Sequence, residues 1–146
     1  MSEFPELVPR LESYATIKTW RERHGRYRMQ GTRCKKCGEK WFPPRVGLPC
    51  PKCYANDMEP FECATNGVVT TVQHEVMGYP CMGYGELSPR KICMIKLDDG
   101  IHIISEVVDA LSEDVKPDVR VKMVFRKHKR EENGSWMYGY KFVLDK

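Results

Sequence analysis

Four cysteines stand in two close pairs, Cys34-x2-Cys37 and Cys50-x2-Cys53, with twelve residues between the pairs. A CxxC knuckle lets two thiolates converge on one ion, and two knuckles close a tetrahedral shell of four sulfurs, a donor set suited to zinc and also accepted by iron. With all four positions filled by protein, such an ion has no open position for substrate or water, so the chemistry implied is structural. Gly38 follows the first knuckle, where a positive φ is expected. Lys35, Lys36 and Lys52 flank the ligands and are expected to offset part of the negative charge. A structural zinc contributes on the order of 10–16 kcal/mol to folding.

The remaining cysteines, Cys63, Cys81 and Cys93, complete an odd total of seven. Cys93 sits mid-strand between Ile92 and Met94 and is expected to be a packed small residue; Cys63 reads as a strand-edge residue. Cys81 lies in the glycine-rich loop Gly78 to Gly85, a setting that admits a reactive thiol, yet no neighbouring acid or histidine in sequence would activate it as a nucleophile. His24, His74, His102 and His128 are scattered without triad or metal spacing. The chain therefore displays no acid, base and nucleophile constellation, and any chemistry it serves must come from a partner.

The elements that must hold these residues follow from pattern. In 146 residues there is no apolar run of the roughly 18 residues needed to span a membrane. The first ten residues lack the apolar stretch of a secretory signal, so a cytoplasmic location is expected. Residues 1–40 carry ten Lys/Arg against five Glu, while the remainder is nearly balanced, with fourteen cationic and fifteen acidic residues. The basic N-terminal region is compatible either with a solvated helix face or with contact to phosphates or an acidic partner protein.

Apolar or aromatic residues at Leu11, Tyr14, Ile17, Trp20, His24 and Tyr27 recur at steps of three and four, predicting a helix over residues 11–24. Ser13 and Thr16 offer N-caps, Gly25 a stop, and the alternation Tyr27-Arg28-Met29-Gln30 a short strand. This helical arm, residues 1–31, leads into a Cys-, Pro-, Gly- and Lys-rich zinc ribbon at 32–60, which is too poor in apolar residues to build its own core. Residues 61–146 read as five short strands: Gly67 to Val76, Lys91 to Leu97, Ile101 to Val108, one in which Val119, Val121, Met123 and Phe125 share a face, and one in which Trp136, Tyr138, Tyr140 and Phe142 do. Asp98-Asp99-Gly100 and Asn133-Gly134 supply turns, and the polar stretch Asp109 to Asp118 has room for one helical turn. The predicted fold is mainly β with an N-terminal helix, a zinc ribbon followed by a five-stranded OB-type barrel.

The run Gly31-Thr32-Arg33-Cys34-Lys35-Lys36-Cys37-Gly38, then Trp41-Phe42-Pro43-Pro44-Arg45, then Cys50-Pro51-Lys52-Cys53, resembles the ribbon of the zinc-ribbon/OB-fold acyl-CoA-associated proteins. Gly67-Val68-Val69-Thr70, Ile95 to Gly100 and Val119 to Phe125 resemble strands of that family's barrel, so the likeness runs from Tyr14 to Val143. It implies a non-catalytic subunit working beside thiolase-fold enzymes or acyl-CoA hydratases. Tyr138-Gly139-Tyr140-Lys141-Phe142 and Tyr84-Gly85-Glu86-Leu87-Ser88 are most similar to the archaeal branch. That branch bridges acetoacetyl-CoA thiolase and hydroxymethylglutaryl-CoA synthase in the mevalonate pathway (isoprenoid biosynthesis). The implied role is to help form a CoA site and to pass the intermediate between the two enzymes. On the helical arm, Trp20 and Tyr14 beside Arg21, Arg23, Arg26 and Arg28 are either interface anchors or packing groups.

A CoA ligand needs cations at its phosphates and a narrow, backbone-lined slot along its pantetheine arm. The loop Gly78 to Gly85 followed by Arg90-Lys91 offers that pairing: glycines for close approach, Tyr79 and Tyr84 to cover adenine or pantetheine, and Arg90 or Lys91 for a phosphate. Arg45 is a second candidate cation from the ribbon. An ordinary surface loop is the plain alternative. A ribbon joined to an OB barrel also suits single-stranded nucleic acid, but the strands 91–97 and 101–107 lack stacking aromatics, and Asp98, Asp99 and Glu106 add negative charge. The basic run Arg126 to Arg130 is followed at once by Glu131 and Glu132, as in a solvated hairpin end.

Overall fold

In the computed structural model, residues 20–75, 89–130, 134 and 136–145 are described. The predicted helical positions Leu11, Tyr14 and Ile17, the caps Ser13 and Thr16, and the loop Gly78 to Gly85 lie outside them. Helix α1 (Arg23–Arg28) ends at Met29, whose left-handed backbone, φ 51°, turns its N–H onto the carbonyl of His24. The helix passes through Gly25 rather than stopping there. A Cβ at Gly25 would lie 3.2 Å from Pro44 Cδ, so this glycine serves close packing against the ribbon's Pro-Pro element. The alternation from Tyr27 to Gln30 is likewise not a strand: Tyr27 and Arg28 are helical, and Met29 is the buried cap that plugs the core.

Strand β1 (Gln30–Cys34) pairs on one side with β2 (Lys40–Trp41) and on the other with β3 (Met58–Glu62), both antiparallel. This three-stranded sheet is the ribbon. Gly31 is required in β1, because a Cβ there would fall 2.6 Å from the Trp41 carbonyl oxygen.

The barrel consists of β4 (Asn66–Glu75), β5 (Arg90–Leu97), β6 (His102–Glu106), β7 (Arg120–Arg130) and β8 (Trp136–Leu144). Their order is β6-β5-β4-β7-β8. A parallel bridge between Val107 and Phe142, with the Val108 N–H donating to the Phe142 carbonyl at 2.8 Å, joins the outer strands and nearly closes the sheet. That order and closure are those of an OB barrel. Gly100, at φ 90°, turns β5 into β6, and Gly134, at φ 84°, sits between β7 and β8. The polar connection before β7 contains a single 3-10 turn, Ser112–Asp114, after which Val115 drops into the core. Val69, Cys93, Ile95, Leu97, Val107, Val121 and Phe142 fill the barrel.

On the shared face of β7, Val121 and Met123 pack into the core, whereas Phe125 is 47 % exposed and lies outside it. Phe125 packs edge-on against Tyr27 of α1, with ring centroids 5.3 Å apart, and Phe42 of the ribbon meets Tyr140 of β8 at 5.7 Å. The ribbon, poor in apolar residues, thus borrows barrel surface through its aromatic rings.

Candidate metal centre

Cys34 closes β1, so the first knuckle grows directly from a strand; the second knuckle precedes β3, where Met58 faces Cys34 in register. Both knuckles share one backbone plan. In the first, the Cys34 N–H donates to Glu39 O at 2.9 Å and the Gly38 N–H to Cys34 O at 2.8 Å; in the second, the Cys50 N–H donates to Ala55 O at 2.9 Å and the Tyr54 N–H to Cys50 O at 2.8 Å. Gly38 (φ 73°) and Tyr54 (φ 57°) therefore occupy equivalent left-handed positions, the first as expected from sequence and the second in spite of its side chain.

The four sulfurs lie within 4.8 Å of one another. Cys34 Sγ is 3.5 Å from Cys53 Sγ, and Cys37 Sγ is 3.6 Å from Cys50 Sγ. A regular tetrahedron with zinc–sulfur bonds of about 2.3 Å has edges of about 3.8 Å, so the cluster fits one zinc ion. The Cys37 backbone amide holds the Cys34 thiol below its ordinary value. At Cys50 burial pulls upward, but the amides of Cys53 and Lys52 and the neighbouring sulfurs outweigh it and bring the thiol down to about 6. Such donors favour the thiolate at Cys34 and Cys50, whereas at Cys37 the Glu39 amide pulls down but burial and the neighbouring sulfurs outweigh it and push the thiol up to about 12. Lys35 and Lys52 do not face the sulfurs unaccompanied: Lys35 pairs with Asp57 at 3.2 Å and Lys52 with Glu39. Among the described residues this is the only cluster of three or more ligand-type side chains close enough to hold one ion.

Cys63 and Cys93 are buried, and burial pushes each thiol up to about 11. Cys63 is thus a core residue rather than an edge one, and neither thiol is a nucleophile at neutral pH. Cys81 lies outside the described residues.

The expected CoA contacts divide between ribbon and barrel. Arg45 donates its backbone N–H to Thr32 Oγ1 at 3.1 Å, its guanidinium lies 5.9 Å from the Trp41 ring centroid, and its buried Nε has no partner among the described residues. Arg90, at the start of β5, is 11 % exposed and lies between two carboxylates, Glu75 at 3.1 Å and Glu106 at 3.4 Å. A phosphate would have to displace or share those partners. Lys91 is half-buried. Tyr79 and Tyr84 lie outside the described residues.

A second charged cluster escaped sequence inspection. Lys141 of β8, 3 % exposed, donates to Glu106 Oε2 at 2.7 Å, so Glu106 joins Lys141 to Arg90 across the seam of the barrel. His128 of β7 sits nearby; burial first, then Lys141, Arg90 and Arg26, lower its pKa to about 4. Strand alternation places Lys141 opposite Phe142, as an outward residue would be, and no local signal marks it as buried.

The ChsH2 C-terminal OB-fold domain family matches residues 67–126. The chain is 34% identical over 134 residues to a DUF35 domain-containing scaffold protein of Methanocaldococcus jannaschii, covering 90% of this chain and 92% of that protein. A scaffold protein of the same description from Methanothermobacter thermautotrophicus is 30% identical over 129 residues, covering 87% of this chain and 94% of the relative. In Pyrococcus furiosus a third is 31% identical over 124 residues, covering 84% and 88%. A chain in the solved structure of the Ltp2-ChsH2(DUF35) aldolase superposes with a TM-score of 0.65 at 17% identity, covering 94% of this chain and 98% of that one, a likeness of fold. Among the described residues no helix is long and apolar enough to cross a membrane.

Proposed function

Since the chain belongs to the family of DUF35 domain-containing scaffold proteins, we propose that it is the non-catalytic subunit of an acyl-CoA enzyme complex. In this reading it joins thiolase-fold enzymes, acetoacetyl-CoA thiolase and hydroxymethylglutaryl-CoA synthase, and helps pass acetoacetyl-CoA between them in the mevalonate pathway. The observation that carries the reading is the match to scaffold relatives along ribbon and barrel together, 90% of the chain. The shared fold with a chain of the Ltp2-ChsH2(DUF35) aldolase supports an enzyme as the partner.

Zinc in the Cys34, Cys37, Cys50 and Cys53 shell would supply only a rigid knuckle, since its coordination is filled. The chain's own residues do the rest. Met29 and the Phe42–Tyr140 contact fix helix, ribbon and barrel together, which a scaffold requires. Within this reading the phosphates of CoA meet Lys91, Arg45 and, in competition with Glu75 and Glu106, Arg90, while Tyr79 and Tyr84 cover its organic part.

The test is co-production of the zinc-loaded chain with acetoacetyl-CoA thiolase and hydroxymethylglutaryl-CoA synthase from the same genome. A single complex by light scattering is expected, with less free acetoacetyl-CoA released during turnover than from the two enzymes alone. Separate elution of all three proteins would refute the reading. Unchanged CoA affinity of a complex carrying Lys91→Ala and Arg45→Ala would refute the CoA contacts alone.

A further inference from the structure

His128 sits where the β7–β8 ladder is interrupted. Lys127 faces Tyr138 and Lys129 faces Met137, so His128 is the extra residue of a bulge. A bulge re-aims the side chain it inserts. Here His128 meets the junction of barrel and arm: a Cβ at Gly139 would lie 3.9 Å from His128 Cβ and 3.8 Å from the Arg26 carbonyl oxygen of α1. A cleft of about 520 Å³ runs between arm, ribbon and barrel at this point. Glu22 and Arg26 line it from the arm, His128 and Tyr140 from the barrel, and it gives water a path to the imidazole.

Charged groups reach the ring from several elements. Arg26 comes from α1, Arg90 from β5, Lys141 from β8 and Glu106 from β6. Burial first, then Lys141, Arg90 and Arg26, lower the His128 pKa to about 4, against the opposing pull of Glu106. Its neighbours on β7, Lys127 and Lys129, are also cationic, and the ribbon's Phe42, Pro43 and Pro44 bring no charge to the cleft. The carboxylates are already taken: Glu106 by Lys141 and Arg90, Glu75 by Arg90 at 3.1 Å, and Glu22 by Arg26 at 2.6 Å. An imidazolium at His128 therefore adds a positive charge that no carboxylate is left to match.

The cations around it differ in freedom. Lys141 is 3 % exposed and bonded to Glu106, and Arg90, 11 % exposed, is gripped by Glu75 and Glu106. Arg26 is 36 % exposed, its carboxylate partner belongs to its own turn of helix, and α1 is only six residues long. The easiest relief of the added charge is to move Arg26, and the helix with it, away from the barrel.

We propose that the His128 bulge is a proton-operated latch: neutral, it seats α1 against the barrel; protonated, it repels Arg26 and releases residues 23–28 while Met29 stays in the core. A histidine whose pKa is lower in the latched form than in the released one holds the latch above its ordinary value near 6.5 and loses it as pH falls. With about 4 in the latched form and 6.5 in the released one, opening grows about twentyfold between about pH 7 and pH 5.

The experiment is amide hydrogen exchange of the zinc-loaded chain, corrected for intrinsic rate and read separately for residues 23–28 and for the barrel strands. Three variants set the charge directly at neutral pH. His128→Lys places a cation in the bulge, His128→Gln a neutral group, and Arg26→Gln/His128→Lys removes the group repelled. Arm opening is expected to rise about tenfold or more in His128→Lys and to stay within about threefold of the unaltered chain in the other two, with the barrel still the more protected part throughout. Lowering the pH from about 7 to 5 is expected to raise arm opening about twentyfold in the unaltered chain and not in His128→Gln. Equal arm protection in a folded His128→Lys and the unaltered chain overturns the latch. So does an arm that opens as far in His128→Gln as in His128→Lys, because packing rather than charge then holds the helix. Arm and barrel exchanging at one common rate in every form means that the chain opens only as a whole, and overturns it too. If His128→Lys does not fold, the pH series decides: the same pH response in His128→Gln as in the unaltered chain refutes the proposal. None of these readouts needs a partner enzyme, so they stand apart from the scaffold reading.

Discussion

Replacing Glu106 tests whether the buried ion pairs at the barrel seam are held by their partners or merely tolerated. Lys141 Nζ is 2.7 Å from Glu106 Oε2 with 3 % and 9 % of the two side chains exposed, and Arg90 reaches the same oxygen at 3.4 Å. In Glu106→Gln, two cations lose a shared negative partner. Arg90 keeps Glu75 at 3.1 Å, while Lys141 keeps at most a neutral amide oxygen. Stranding a buried charge costs 3–5 kcal/mol, and the remaining amide bond places this variant near about 3 kcal/mol. Lys141→Met removes the buried ammonium itself and leaves Glu106 with Arg90, so its cost is about 1 kcal/mol or less. At roughly 3 °C per kcal/mol for a chain of this size, the melting temperature falls by about 9 °C in the first variant and by about 3 °C or less in the second. The double variant Lys141→Met/Glu106→Gln recovers most of the first loss, a coupling of about 3 kcal/mol. Calorimetric melting at neutral pH with zinc in excess, so that metal loss does not intervene, reads all three. If Lys141→Met costs as much as Glu106→Gln, the stranded charge is not the origin of the loss and the argument fails.

Three further outcomes follow from the same geometry. Cys34→Ser or Cys50→Ser is expected to yield an insoluble or partly unfolded chain, and elemental analysis of the unaltered chain to find about one zinc per monomer; a folded, metal-free protein contradicts the assignment. Tyr54→Gly, which relieves a left-handed backbone at φ 57°, is expected to be neutral or stabilising by up to about 1 kcal/mol, whereas Gly38→Ala at the equivalent φ of 73° destabilises by about 1 kcal/mol; denaturant midpoints compare the two. His128, with its folded pKa lowered to about 4, binds a proton less readily than the unfolded chain, so stability holds above its ordinary value near 6.5 and is lost as pH falls toward 4. That loss is about 2–3 kcal/mol, and His128→Gln is expected to flatten it in melts recorded across that range.

The metal site was legible because its information is local: two CxxC pairs fix four sulfurs wherever the rest of the chain goes, and Gly38 announces the left-handed turn after the first. Tyr54 in the equivalent position was not legible, because nothing in its residue type prefers that backbone. The barrel strands were legible from alternation and from Asp98-Asp99-Gly100; most boundaries shift by only a residue or two, but β7 runs on to Arg130, through the basic run expected to be a hairpin end. Gly25 was misjudged as a stop since a glycine in a helix has two physical uses, and the one that applies depends on Pro44, which is far along the chain. The exposure of Phe125 was not legible for a related reason. Alternation assigns a face, but where β7 leaves the barrel the same face passes from the core to the surface.

What sequence patterning leaves out here is the set of residues through which distant stretches of the chain are joined. Met29 is a helix cap, Phe42 and Tyr140 belong to different folding units, and Lys141, Glu106 and Arg90 come from three strands. None makes its contact with a near neighbour in sequence, so no motif exists for it to obey. Yet Met29 and the Phe42–Tyr140 pair decide whether arm, ribbon and barrel hold a fixed relation, and the Lys141–Glu106–Arg90 cluster whether the barrel seam does; both are physical requirements of a scaffold. A rigid scaffold loses little conformational entropy on binding and can therefore bind through a modest contact surface. Loosening the barrel seam at Glu106 should accordingly weaken partner binding, while Tyr54→Gly in the knuckle should not.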